Sequence, residues 1–356
     1  MSWLLDIARP DIRALRPYEH ASWEPGLVRL HANELPWRQD ADTSAGGLNR
    51  YPEPHPLELA ARLAPLYGVA PECVLPGRGS DEAIDLLVRA WCRAGSDSVL
   101  ICPPTFGMYG VCARIQGAGV LEVPLLRERG YALDIDGLLA ACTPAVKLVF
   151  LCTPNNPTGN SVAARDILQL ASALRGRALL VIDEAYADFS TAPSCATLLA
   201  RHPGIVVLRT LSKAYALAGA RIGALLGDPA LVQFLRNLSA PYPIAAPSAE
   251  LALSGSGEAG VMEARRRVEG VLRERERLRQ ALSAAPGVRR VYASQGNYLL
   301  ARFDDAEAML SRWLDAGIVV RDMRAMPGLG DALRISIGTP AENDQLLATL
   351  RQEACA

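Results

Sequence analysis

The chain reads as an α/β protein: a large domain with a mostly parallel central sheet flanked by helices, joined to a smaller α+β domain. Three observations carry this. From about Leu57 to Gly227 short apolar runs alternate with helical patterns, as successive strand–helix–strand units require. Several of those runs are apolar throughout, which suits strands covered on both faces. The 356 residues also exceed the roughly 100 to 200 expected of one domain, which calls for a second lobe.

Taken in order, strands are expected over Ser98–Cys102, Val146–Cys152, Ala178–Ile182, Ile205–Leu208 and Ile222–Leu226. Helices over Leu57–Leu66, Asp81–Cys92 and Ala163–Leu174 lie between them, each bounded by Gly, Pro or Ser. The segment from Ala240 to Pro247 carries three prolines, which interrupt regular structure and mark a lobe junction. A long helix from about Val261 to Ala284 follows, with Val268, Val271, Leu272, Leu278 and Leu282 on one stripe. Its wet face carries the i,i+4 pairs Glu263–Arg267 and Glu269–Arg273. The final stretch alternates strands over Tyr298–Arg302, Gly317–Val320 and Ala332–Ile337 with helices. The large domain is therefore placed at residues 41–240, and the small domain, with an N-terminal arm, at 1–40 and 241–356.

Composition narrows the function classes. A hydrophobic fraction of 50% with 21% charged residues is that of a globular protein with a large core. The net charge of -1 offers no basic field for nucleic acid or an anionic membrane, so small-molecule chemistry fits better. The eight cysteines (73, 92, 102, 112, 142, 152, 195, 355) form no close CxxC pair and lie mostly in apolar runs, which reads as reduced core thiols of a cytoplasmic protein. His20, His31, His55 and His202 are scattered, which disfavours a metal site. No leader pattern and no run of about 18 apolar residues is evident, so neither export nor a membrane span is expected.

Chemistry enters with a bias in usage. Of 37 Lys+Arg only Lys147 and Lys213 are lysines. Arginine keeps its proton in a protein, whereas a lysine in an apolar, cation-flanked site can lose it and attack a carbonyl. Lys213 follows an apolar strand-like run in Leu208-Arg209-Thr210-Leu211-Ser212-Lys213, with Arg221 eight residues on. Three further signals precede it in the order a pyridoxal-phosphate site requires. Gly77-Arg78-Gly79-Ser80-Asp81-Glu82 is a glycine-rich turn opening a helix whose free N–H groups suit a phosphate, although with Ser80 as N-cap it could be a plain cap. Cys152-Thr153-Pro154-Asn155-Asn156-Pro157 sits at a strand's carboxyl end, where Asn156 could donate to the cofactor's phenolate oxygen; alone it could be only a β-turn. Val181-Ile182-Asp183-Glu184-Ala185-Tyr186 would let Asp183 pair with the pyridine nitrogen and Tyr186 join Asn156 at the phenolate. Ser212 and Arg221 would grip the phosphate, and Lys213 would bond the aldehyde and then move the substrate's proton.

At these residues the chain resembles the aspartate-aminotransferase-like superfamily of fold-type I pyridoxal-phosphate transferases. Within it the likeness is closest to the histidinol-phosphate aminotransferase family, and it runs nearly end to end. It is carried by Leu30-His31-Ala32-Asn33-Glu34-Leu35-Pro36, Asn49-Arg50-Tyr51-Pro52-Glu53-Pro54, Gly79-Ser80-Asp81-Glu82-Ala83-Ile84, the segment from Cys102 to Tyr109, the segment around Lys213, Ala240-Pro241-Tyr242-Pro243 and the segment from Leu333 to Thr339. The resemblance implies that Tyr109 stacks on the pyridine ring and that Tyr51 reaches the phosphate of the partner subunit's cofactor in a homodimer. It implies further that Arg334, with Tyr18, Asn33 and Arg321, binds the substrate. Phe106 and His31 depart from the residues common in relatives, Tyr and Asn. The implied reaction transfers an amino group between L-histidinol phosphate and 2-oxoglutarate, giving imidazole acetol phosphate and L-glutamate, in histidine biosynthesis. An aromatic-amino-acid aminotransferase or a decarboxylase of a phosphorylated amino acid are the alternatives on the same scaffold. A regulator that binds the cofactor without turnover would carry a basic DNA-binding extension, which this sequence lacks.

Overall fold

The computed structural model describes residues 3–19 and 26–351. Two sheets organise them. The larger has seven strands: β1 (Val74–Gly77), β2 (Ser98–Ile101), β3 (Gly119–Glu122), β4 (Val146–Cys152), β5 (Leu179–Asp183), β6 (Ile205–Thr210) and β7 (Gly223–Leu226). They lie in the order β1-β7-β6-β5-β4-β2-β3. Strands β2 to β6 run parallel, and β7 is antiparallel to both of its neighbours, β6 and β1.

The all-apolar runs have the explanation expected of parallel strands, because successive residues feed opposite cores. In β5, Leu180 and Ile182 join the core beneath the Leu57–Tyr67 and Ala164–Ala173 helices, while Leu179 and Val181 join the one beneath the Ser80–Trp91 and Pro229–Leu238 helices. The second sheet, β8 (Val288–Val291), β9 (Tyr298–Phe303), β10 (Arg321–Asp322) and β11 (Ala332–Ser336), is antiparallel in the order β10-β11-β9-β8. The 26-residue helix Glu258–Ser283 ties the two sheets together. Val268, Val271 and Leu272 of its stripe pack on the large core, and Leu278 and Leu282 enter the small one.

Three local expectations are corrected. Gly317–Val320 is not a strand, because Gly317 (φ 75) and Ile318 close the preceding helix by donating their N–H groups to Leu314 and Trp313. Pairing with β11 starts only at Arg321. The N-cap of the Ser80–Trp91 helix is Gly79 (φ 84) rather than Ser80, since only glycine takes that backbone shape without strain. Strand β1 went unpredicted because Pro76 and Gly77 break its pattern, and an edge position tolerates both. Seven cysteines are free and six of them buried; Cys355 and His20 lie outside the described residues. Among the described residues no helix is long and apolar enough to cross a membrane.

Candidate active site

Parallel strands place their carboxyl ends together, and register aligns Cys152 with Asp183 and Asp183 with Leu208. The loops that follow bring the separated motifs around one cavity. Its wall includes Gly79, Ser80, Asp81, Phe106, Asn156, Asp183, Tyr186, Ser212, Lys213 and Arg221.

Asp183 lies at the cavity floor, buried, with Oδ1 accepting from the Ala185 N–H at 3.0 Å and Oδ2 from the Tyr109 hydroxyl at 2.7 Å. Burial pushes its pKa up to about 6, against the pull of those two hydrogen bonds. A carboxylate held this way gains from a cation placed over it. Tyr109 stands apart from the cavity wall where a stacking ring was expected. Tyr109 is fully buried, stacked at 4.8 Å on Phe150 and bonded to Asp183, so its ring does not face the cavity. Phe106, three residues earlier and ahead of the helix Met108–Gln116, supplies the aromatic wall instead.

At one end of the cavity the backbone approaches itself closely. A Cβ on Gly223 would stand 2.6 Å from the Gly79 carbonyl carbon and the Ser80 nitrogen, so β7 presses directly on the turn that opens the helix. Arg221 (φ 56) reaches the same turn, donating to Asp81 at 3.1 Å and to the Ala218 carbonyl at 3.1 Å. The Thr210 and Ser212 hydroxyls lie 2.9 Å apart beside it. Free helix N–H groups, hydroxyls and a guanidinium together make an anion cradle.

Lys213 stands between this cradle and a second cluster. Its Nζ lies 5.7 Å from the Tyr186 ring centroid. Although the side chain opens to the cavity, loss of solvent, then Arg334 and Arg221, push its pKa below that of an ordinary lysine. In the second cluster the Asn156 amide bridges two groups: its Nδ2 donates to the Tyr186 hydroxyl at 3.4 Å, and its Oδ1 accepts from Arg334 Nη1. Arg334 on β11 faces Arg321 on β10 in register, two like charges directly opposite.

Tyr18, Asn33, Tyr51, Arg321 and Arg334 do not line this cavity, although Arg334 bonds Asn156, which does. Tyr18 borders a separate cleft with His55 and Arg236, Asn33 is exposed with φ 56, and Tyr51 stacks on Tyr242 at 4.6 Å. Sequence reasoning missed Phe106, Tyr298 and Glu34. The buried Glu34 carboxylate accepts from Arg29, Arg50 and the Tyr51 N–H, fixing the arm that carries Tyr51. The family motif around Asn33 was the available signal for it.

The family model of aminotransferase class I and II matches residues 29–350. The chain belongs to that family. It is 54% identical to the histidinol-phosphate aminotransferase of Stenotrophomonas maltophilia (strain R551-3) over 99% of this chain and 98% of the relative. It is 51% identical to that of Xanthomonas euvesicatoria pv. vesicatoria (strain 85-10) over 100% and 99%. A solved structure of histidinol-phosphate aminotransferase from Sinorhizobium meliloti in complex with pyridoxal-5'-phosphate superposes with a TM-score of 0.79 at 27% identity, covering 88% of this chain and 85% of that one. This aminotransferase therefore uses pyridoxal phosphate, and the residues present fit it: a cradle for an anion, a buried carboxyl suited to a cationic ring nitrogen, an amide and a phenol for a ring oxygen, and a lysine of lowered pKa.

Proposed function

We propose that the enzyme transfers the amino group of L-histidinol phosphate to 2-oxoglutarate, giving imidazole acetol phosphate and L-glutamate, as in histidine biosynthesis. The observation that carries this reading is the pair Arg321 and Arg334, opposite each other across β10 and β11, with Arg334 close enough to Lys213 to lower its pKa. Histidinol phosphate has no carboxylate on Cα, and its phosphomonoester hangs at that end. One site must hold a phosphate in one half-reaction and glutamate's carboxylates in the other, which two planar, permanently charged donors manage. Relatives named histidinol-phosphate aminotransferase, alike over the whole chain, support it.

Bound pyridoxal phosphate supplies an aldehyde that bonds an amine and a ring that accepts the electrons released at Cα. The protein's own groups do the rest. Ser80, Ser212 and Arg221, with the helix N–H groups, would hold the phosphate, and Phe106 would cover the ring. Asp183, steadied by Tyr109, would keep the ring nitrogen protonated. Asn156 and Tyr186 would donate to the phenolate oxygen. Lys213, an amine of lowered pKa, would carry the substrate's Cα proton.

The same reading takes the enzyme to be a cytoplasmic homodimer in which Tyr51 serves the partner's cofactor and Tyr18 and Asn33 border the substrate. The arm supports this: Val28, Leu30 and Trp37 are 88%, 90% and 77% exposed, an apolar surface that a second copy would cover. The test mixes holoenzyme with histidinol phosphate, phenylalanine or O-phosphothreonine and follows the visible band and product. Rapid bleaching with histidinol phosphate and keto product is expected. Preference for phenylalanine, or release of carbon dioxide, contradicts the reading.

A further inference from the structure

We infer that Tyr298 is a positioning residue for capture of the substrate's anionic group, acting through Arg334 and the Asn155–Asn156 turn. Tyr298 opens β9 opposite Ser336, and Arg334 lies opposite Leu300, so the two share one face of the small sheet as diagonal neighbours. The Arg334 guanidinium carbon is 5.4 Å from the Tyr298 ring centroid, within the range of cation–π attraction. The buried phenol donates to the Asn155 carbonyl at 2.7 Å, and its ring meets Tyr186 edge-on at 5.0 Å. One side chain thus touches the arginine, the turn bearing Asn156 and Tyr186.

The way it touches them matters. A carboxylate partner would neutralise Arg334 and occupy its N–H groups, competing with the substrate. A ring face holds the guanidinium while leaving its charge and its donors available. Among the described residues Arg334 Nε is buried without a hydrogen-bond partner, and the Asn156 oxygen and the Tyr298 ring hold the guanidinium's direction. The site is shaped around this ring: a Cβ on Gly296 would fall 2.7 Å from Tyr298 Cε1. Because the hydroxyl is bonded to Asn155, the small sheet and the cofactor-side turn are held as one unit.

The inference rests on the reading of Arg334 as the substrate-anion residue, and its test separates the two. Holoenzymes of Tyr298→Phe, Tyr298→Leu, Arg334→Ala and both double variants are titrated calorimetrically with succinate, a dicarboxylate that cannot react, and KM, kcat and the visible spectrum are measured. Tyr298→Phe should weaken succinate binding and raise KM about fivefold, and Tyr298→Leu about thirtyfold, with kcat within about threefold and the spectrum unchanged. In the Arg334→Ala background either change should cost less than about twofold more, since its route is already gone. If Arg334→Ala weakens binding while the isosteric Tyr298→Phe leaves it unaltered, the positioning role is wrong. Losses that persist at full size in the Arg334→Ala background also overturn it. If Arg334→Ala itself binds succinate normally, the reading of the anion site fails and takes the inference with it.

Discussion

In the cavity wall Arg221 is half exposed and paired with Asp81; behind Asn156, Arg334 bonds an amide and a ring face and stands opposite a second arginine. The first cradle is mostly backbone, a glycine turn pressed against β7, with its guanidinium already partly neutralised. It suits an anion that stays. The second concentrates unneutralised charge on two side chains of the smaller sheet, which suits anions that come and go and differ in shape between half-reactions. Rigidity belongs where the ligand is permanent, and spare charge where it must be exchanged.

The largest expected break in this contrast comes from Arg334→Ala, which should lower kcat/KM in both half-reactions by about three orders of magnitude, as loss of paired charge-assisted hydrogen bonds would. Arg321→Ala should cost about tenfold, chiefly with the phosphorylated substrate or the second carboxylate of glutamate. Single-turnover measurements check both, and equal small losses would erase the proposed division of labour. Between these two in size, Arg221→Ala should weaken cofactor binding about thirtyfold while kcat recovers in excess pyridoxal phosphate, read by spectral titration. A lowered kcat at saturating cofactor would place Arg221 in the chemistry and blur the distinction.

A separate effect, on stability, concerns Asp183 in cofactor-free protein. Its pKa is raised from 3.8 to about 6, so the buried charge is a cost that is absent at low pH, sets in as pH rises through the window from about 4 to 6, and is complete above it. Asp183→Asn should therefore raise the melting temperature of the cofactor-free protein by a few degrees at pH 7.5, relieving a cost of about 3 kcal/mol at most, and by much less at pH 4.5. With cofactor bound the sign should reverse, because the aspartate then has its cation. An unchanged melting difference across pH would show that the carboxyl is not strained by burial.

Much of the site was legible because its groups lie at or just beyond strand ends, where an apolar run stops at a polar residue: Asp183 after Ile182, Asn156 after Cys152, Lys213 after Thr210. Which of two aromatics faces the cavity was not legible, because Phe106 and Tyr109 are three residues apart and only the start of the helix at Met108 decides it. Tyr298 gave no signal either. In an apolar run it reads as core, and its hydroxyl finds a carbonyl 143 positions away. The partnership of Arg321 with Arg334 depends on strand register, which the misplaced strand at Gly317–Val320 would have shifted.

On the proposed reading Lys213 is the residue that would form the covalent link to the cofactor aldehyde. Reducing the holoenzyme with borohydride and mapping its peptides tests it directly, with Lys147 as an internal control, since that amine donates to the Pro144 carbonyl at 2.9 Å and lies 3.9 Å from Asp97. A pyridoxyl group fixed on Lys213 and absent from Lys147 is the predicted result. An unlabelled Lys213 peptide from fully yellow enzyme would contradict the account.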